Sequence, residues 1–382
     1  MLDVDRPDSA IFPGRPLRVA MIAFSPNHHT FRWARALSDA GLDIRLIGVS
    51  AADADSPHPP HGAKRHRLHS IPVVSAAWGW HAAIAAANPD VVYMQWLFAR
   101  PAMLLALNPR WPMIATVMGS DVRQDLALPE TMLERVWRTT LLLRAQHITT
   151  VAAPLAQVVA GYHVDLGGRM SIVPFGVDTT QFFPAVDRPM RQPREVLVIG
   201  HFKSDDVTYG RMELLQASMV VMATGQKVQL HLAGRRGNDG GAVTAYLASH
   251  PELAAHVIDH GSREVDMMPP LYRKLDVYVM NSMQESFGVA AAEALATGVP
   301  VIASDVGGVR SLVRSGDTGL LVPTADVPAL AEALLEIAQY PAFAYSAGQR
   351  GRARVQAKFE WQTTVDTMVK LIRQAARRKA DH

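Results

Sequence analysis

At 382 residues the chain exceeds one ordinary hydrophobic core and suits two domains. Hydrophobic content of 49% with charged content of 19% excludes a disordered chain, and the lack of cysteine excludes disulfides, thiol nucleophiles and Cys-ligated zinc. A net charge of +3 is too small to mark a nucleic-acid binder and suits an anionic substrate or the surface of an anionic membrane.

The charged start, Met-Leu-Asp-Val-Asp-Arg-Pro-Asp, does not read as a secretory signal, and no apolar run reaches the ~18 residues of a spanning helix. The expectation is a cytoplasmic protein, at most peripheral at the inner face of the membrane. Residues 1–16 read as a flexible leader. Leu17 to Phe24 reads as a buried strand, Ser25 to Thr30 as a loop, Phe31 to Ala40 as a helix ended by Gly41, and Asp43 to Val49 as the next strand. This is the βαβ opening of a parallel, doubly wound sheet. The Gly-x-Gly-x-x-Gly phosphate loop is absent after strand one. Asn27, His28 and His29 stand there instead; they can donate to an acceptor or a phosphate, or serve only to cap the helix.

The Pro- and His-rich stretch Ser56 to His69 ends in a basic run and lacks metal-ligand spacing, so it reads as a solvated loop or as a contact for anionic acceptors or lipid headgroups. Asp90 to Gln95 and Met113 to Met118 read as strands. The loop after the second carries Asp121, which is expected to face the ligand, with N-capping of the next helix as the alternative. Glu130 to His147 reads as a helix with Leu133, Val136, Trp137, Thr140 and Leu141 on its apolar stripe, either packed or interfacial. His147 to Val151 is a strand, and Pro184 to Glu195 is a Pro-rich linker. The second half restarts with the strand Val196 to Gly200. A loop carrying His201, Lys203 and Arg211 follows. Val228 to Gly234 and Val257 to His260 are further strands, the latter leading to Arg263. Asp326 to Gln339 is a capped helix, and Lys358 to Trp361 leads into the last one.

The most informative stretch is Asp276 to Ala303. Val277 to Met280 suits a buried parallel strand, Asn281 and Ser282 a turn, Ala290 to Ala296 a helix, and Val299 to Ala303 the next strand. Open α/β sheets bind ligands where a strand's carboxyl end turns into a helix. The N–H groups of Phe287, Gly288 and Val289 at that helix start can hold a phosphate. Glu285 in the loop and Glu293 on the helix can accept bonds from sugar hydroxyls.

Glu285-Ser286-Phe287-Gly288-Val289-Ala-Ala-Ala-Glu293-Ala-Leu-Ala-Thr-Gly-Val-Pro-Val-Ile-Ala-Ser closely resembles the signature of the retaining, nucleotide-sugar-dependent glycosyltransferases of family 4 (group 1). Ile172 to Pro184 resembles the Pro-x-Gly-Val-Asp…Phe-x-Pro segment of that family, and Gly307-Gly308 and Gly316 to Val322 fit its later turns. The resemblance implies an α/β GT-B fold, two Rossmann-like doubly wound domains facing across a cleft. The expected divisions are a leader 1–16, an acceptor-side domain 17–188, a nucleotide-sugar-binding domain 189–350, and residues 351–382 returning to the first domain.

The implied reaction moves a sugar from a nucleotide diphosphate sugar to a hydroxyl of a sugar, lipid-linked or small-molecule acceptor, with retention of configuration, in polysaccharide, glycolipid or other glycoconjugate synthesis. No cofactor, metal or nucleic acid is expected; membrane contact would be peripheral. The resemblance makes Glu285 the donor-sugar contact and Glu293 the ribose contact. Ser286, Phe287, Gly288 and Val289 line the donor, Arg263 borders its base, and Asn27, His28, His29 and Asp121 lie on the acceptor or catalytic side.

The chain departs from the family at several points. Met118 replaces a histidine, His201 stands for an arginine, and Tyr209 for a lysine. Lys203, then Arg211, are the cations expected to neutralise the diphosphate in their place. Alternatives are a nucleotide-sugar 2-epimerase of the same fold, or a binding-only homologue.

Overall fold

Short runs rich in Val, Ile, Leu and Met form strands, and every strand pairing among the described residues is parallel. Such strands are covered on both faces and carry apolar residues without alternation. The computed structural model describes residues 14–22, 28–47, 69–71, 77–96, 110–119, 121–122, 131–162, 166–185 and 195–380. They fall into two compact units, Met1–Pro174 with Thr363–His382, and Phe175–Gln362.

The first unit holds β1 (Arg18–Ile22), β2 (Asp43–Ile47), β3 (His69–Ile71), β4 (Val91–Gln95), β5 (Met113–Val117), β6 (His147–Thr150) and β7 (Met170–Ile172), with α1 (His28–Asp39), α2 (Ala77–Ala87), α3 (Met132–Arg144) and α4 (Ala153–Ala160). The strand order is β3-β2-β1-β4-β5-β6-β7, so the order reverses between β1 and β4. Every residue of β4 and β5 is buried.

Two readings change here. Helix α1 begins at His28, inside the expected loop, because Trp33, Ala34 and Leu37 give it a buried face. In α3 the buried residues are Leu141 and Leu142, while Leu133 and Val136 are 61% and 52% exposed. The apolar stripe is therefore buried only toward the C-terminal end of that helix. No described helix is long and apolar enough to cross a membrane.

The second unit holds β8 (Val196–Phe202), β9 (Lys227–Ala233), β10 (Val257–Asp259), β11 (Val277–Met280), β12 (Val301–Ser304) and β13 (Gly319–Val322) in the order β10-β9-β8-β11-β12-β13. Its helices are α5 (Arg211–Ala223), α6 (Ala242–Ser249), α7 (Pro251–Ala254), α8 (Met268–Tyr272), α9 (Val289–Ala296), α10 (Val309–Leu312), α11 (Val327–Gln339) and α12 (Pro341–Lys358); α13 (Trp361–Ala380) ends the chain. Leu197, Ile199, Val277, Val279 and Ile302 of the sheet pack against Leu214, Leu215 and Val221 of α5 and Leu330, Leu334 and Ile337 of α11. Asp326 caps α11 by accepting the Ala329 N–H at 2.9 Å.

The change of unit comes at Phe175, well before the Pro-rich linker expected to mark it. Hydrogen bonds explain the shift. The Val177 N–H donates to Phe359 O and the Trp361 N–H to Val177 O. Thr179 Oγ1 donates to Glu360 at 2.5 Å, and Arg273 Nε donates to Phe183 O at 2.9 Å. These bonds fasten residues 177–183 to the second unit. At the other end, α12 stays in the second unit, and the return to the first begins at Thr363 rather than at residue 351.

Candidate active site

The order of the second sheet reverses between β8 and β11. In open α/β folds that reversal opens a crevice outside the strands' carboxyl ends. Lys203 leaves the end of β8, and the loop carrying Glu285 leaves the end of β11. There Lys203 Nζ donates to Glu285 Oε2 at 2.6 Å. Burial alone would lower the Lys203 pKa. The Glu285 charge and its hydrogen bond outweigh burial, so the pKa sits above the ordinary lysine value and the side chain stays an ammonium. The same Nζ lies 4.8 Å from the centroid of the Tyr209 ring, a cation–π contact.

The loops on which this pair stands are fastened from below. Asp206 accepts the Asn238 N–H at 2.9 Å and the Ser204 hydroxyl at 2.5 Å, and Asn238 Oδ1 accepts the Val207 N–H at 3.2 Å. Asp205 accepts the Gly237 N–H. The turn after β8 is thus stitched to the turn after β9. On the other side, the Gly308 N–H donates to Glu285 O at 3.2 Å. Any side chain at Gly307, whose φ is +46°, would run into that same carbonyl.

Helix α9 starts beside Glu285. Its N-cap is Gly288 at φ +95°, and no side chain caps it, so its first N–H groups receive no side-chain acceptor. Phe287 is buried against Phe175 and Phe359, with ring centroids 6.1 and 5.5 Å away, which anchors the helix start. Ser286 and Val289 are half-buried beside it. Glu293 is the fifth residue of α9 and half-buried, and Tyr272 Oη donates to its Oε2 at 2.9 Å. Arg263 lies exposed on the loop after β10.

Three expected site residues have different surroundings from those anticipated. His201 is not in a loop, because β8 continues to Phe202. It is fully buried, with a ring hydrogen bond to Val279 O at 3.2 Å. Burial, reinforced by the Arg211 charge, pushes its pKa down to about 3, so it is neutral and does not replace an arginine cation. Arg211 opens α5 as a buried residue; its guanidinium donates to Lys203 O and, at 3.2 Å, to Ala233 O. It braces the main chain of Lys203 from within the fold. Asp121 is buried and turns back on its own loop, where it accepts the Met118 N–H at 3.2 Å and the Gly119 N–H at 2.8 Å. It closes a turn and caps no helix by these bonds.

His28 and His29 stand in the first turn of α1, the latter half-buried and engaged. Asn27 and Ser120, and residues 56–68, lie outside the described residues.

The parts that the sequence did not single out are Tyr272, Asp205, Asp206 and Asn238. The only local signal for the stitched turns is the facing pair of polar, turn-forming runs Ser204-Asp205-Asp206 and Gly237-Asn238-Asp239-Gly240. Pro-Pro-Leu-Tyr gives no hint of Tyr272.

A charged pair at a Rossmann switch point, next to an uncapped helix start and a second carboxylate, defines a site for a phosphorylated, hydroxyl-rich ligand. Comparison with known proteins agrees with that class. The family model for glycosyl transferases group 1 matches residues 193–339, and the model for Glycosyltransferase Family 4 matches residues 27–181. The chain belongs to these glycosyltransferases.

A D-inositol 3-phosphate glycosyltransferase of Mycolicibacterium paratuberculosis is 28% identical over 424 residues, covering 97% of this chain and 93% of that protein. A glycogen synthase of Mycobacterium tuberculosis is 26% identical over 280 residues, covering 72% of this chain and 66% of that protein, just under two thirds of its length. Among solved structures, sucrose-phosphate synthase from Thermosynechococcus elongatus superposes with a TM-score of 0.75 at 23% identity, covering 94% of this chain and 98% of that one. Anabaena HepE in complex with UDP superposes with 0.78 at 15% identity, covering 94% and 100%. These neighbours establish the GT-B fold.

Proposed function

We propose that the protein transfers a sugar from a nucleotide diphosphate sugar to an acceptor hydroxyl with retention of anomeric configuration, in the synthesis of a polysaccharide, glycolipid or other glycoconjugate. The observation that carries this reading is the Lys203–Glu285 pair at 2.6 Å at the β8/β11 switch point, beside the uncapped start of α9.

The ammonium has three donors, so Lys203 can keep Glu285 and still reach a phosphate oxygen. Together with the N–H groups at the start of α9 it meets the negative charge that grows on the diphosphate as the glycosidic bond breaks. Glu285 orients the sugar hydroxyls and faces the positive charge developing at the anomeric carbon. Glu293 takes the ribose diol. In the step itself, the bond from the anomeric carbon to the diphosphate oxygen breaks and the electron pair leaves with the diphosphate. The acceptor oxygen bonds to the same face of that carbon, and the acceptor proton passes to the departing phosphate oxygen. This transfer calls on no resident cofactor. The relatives and the UDP-bound neighbour are consistent with such a donor, and an epimerase or a binding-only homologue has no comparable support.

The test is incubation with UDP-, GDP- and ADP-sugars, with and without glycan and polyol-phosphate acceptors, following free nucleoside diphosphate. The expected result is acceptor-dependent release from one donor class, with the product's anomeric configuration unchanged by NMR. No release from any donor, or an epimerised sugar without transfer, would overturn the reading.

A further inference from the structure

Tyr272 ends α8, far in sequence from the two glutamates, and is fully buried. Its hydroxyl donates to Glu293 Oε2 at 2.9 Å. The ring cannot swing away, because three others box it edge-on. Phe202 lies 4.9 Å from it at 69°, Tyr278 5.4 Å at 65°, and Phe182 6.1 Å at 64°. Phe202 immediately precedes Lys203, and Tyr278 lies on the strand that feeds the Glu285 loop. The Phe202 N–H donates to Tyr278 Oη at 3.4 Å. One aromatic cluster therefore underlies the cation, the loop carboxylate and the helix carboxylate.

A carboxylate that grips two neighbouring hydroxyls must present its oxygens in a fixed plane. It has about four acceptor positions, and a tyrosine donor held on one oxygen fixes the directions in which the others point. Burial, together with the Glu293 charge, holds the Tyr272 phenol well above its ordinary pKa, so it remains a donor throughout the neutral range.

We infer that Tyr272 is a positioning residue that sets the plane of the Glu293 carboxylate, and so makes the site discriminate a vicinal ribose diol from 2′-deoxyribose. This deepens the donor reading above and rests on it.

The experiment is calorimetric titration of the full-length protein with UDP, GDP and ADP and with the 2′-deoxy form of the one that binds. It compares wild type with Tyr272→Phe, Glu293→Gln and Phe202→Leu, and is paired with donor KM and kcat. Tyr272→Phe should raise the Kd and KM by about tenfold, the scale of one lost hydrogen bond to a charged group. The preference for ribose should collapse while kcat and the thermal midpoint stay near wild type. Phe202→Leu keeps the hydroxyl but loosens the box, and should give a smaller loss of the same preference. It serves equally if Tyr272→Phe does not fold.

A purely structural tyrosine would lower the midpoint and kcat together and leave the ribose-to-deoxyribose ratio unchanged. That ratio unchanged in Tyr272→Phe, while Glu293→Gln abolishes it, overturns the role of Tyr272 and leaves the donor reading intact. Wild-type protein that binds none of the three nucleotides overturns the donor reading and this inference with it.

Discussion

The two sheets share a topology and differ in what stands at their switch points. On β4, β5 and β6 the side chains that bond to one another near the carboxyl ends are neutral. Thr116 Oγ1 donates to Tyr93 Oη at 3.2 Å, Gln95 Nε2 donates to the same oxygen at 3.4 Å, and Thr116 shares a 2.7 Å bond with Thr149. Asp121, on the loop after β5, accepts the backbone N–H groups of Met118 and Gly119. Between β8 and β11 the corresponding place holds an ammonium and a carboxylate in contact, with a second carboxylate close by on α9. A fold alone therefore does not confer chemistry. The second unit brings an ammonium, a carboxylate and an uncapped helix start together at its switch point.

That contrast can be broken by mutation. The largest effect is expected at Glu285. Glu285→Gln keeps the shape but removes the charge facing the anomeric carbon, and kcat should fall by about a hundredfold to a thousandfold with little change in donor Kd. Glu293→Gln should act mainly on binding, raising donor KM by about tenfold at near-constant kcat. Steady-state kinetics separates the two, and exchanged phenotypes would reverse the roles of the glutamates.

In the first unit, Asp121→Ala should cost about 2 kcal/mol of stability through the backbone N–H groups it strands, and leave donor affinity unchanged. Thermal melts and nucleotide titration check this. A loss of donor affinity would show that Asp121 takes part in donor binding.

A further effect concerns pH. His201 is neutral when folded, with a pKa of about 3, and takes up a proton when unfolded, where its ordinary value is 6.5. The unfolded chain binds the extra proton between these values, so stability is full above about pH 6.5 and declines as pH falls toward 3. His201→Gln should remove up to about 1.4 kcal/mol per pH unit of that decline, measured as the difference in unfolding free energy from wild type across pH 6.5 to 4.

The parts legible in the sequence are those where a local pattern carries the information. Val277–Met280 reads as a strand with its observed bounds, because a short β-branched apolar run between turn formers has few other uses. The start of α9, the loop glutamate Glu285 and the helix glutamate Glu293 are legible in the same stretch. What escaped depends on contacts distant in sequence. His201 and Arg211 read as loop cations because Gly200 resembles a strand end. In fact β8 runs two residues further, and Arg211 turns inward to carbonyls of Lys203 and Ala233. Helix α12 is not legible in the sequence, because Gly348 and Gly351 interrupt its pattern. Gly348 is required there, since a Cβ at that position would collide with the Gly298 carbonyl. Tyr272 meets Glu293 across 21 residues and carries no local mark.

The diphosphate site depends most directly on Lys203. Nucleoside diphosphate titrated into wild type, Lys203→Arg and Lys203→Ala should show affinity falling by roughly thirtyfold or more in the alanine variant and partly kept in the arginine variant, as expected when a diphosphate loses one charge-assisted partner. Equal affinity in all three would place the diphosphate elsewhere and contradict the site.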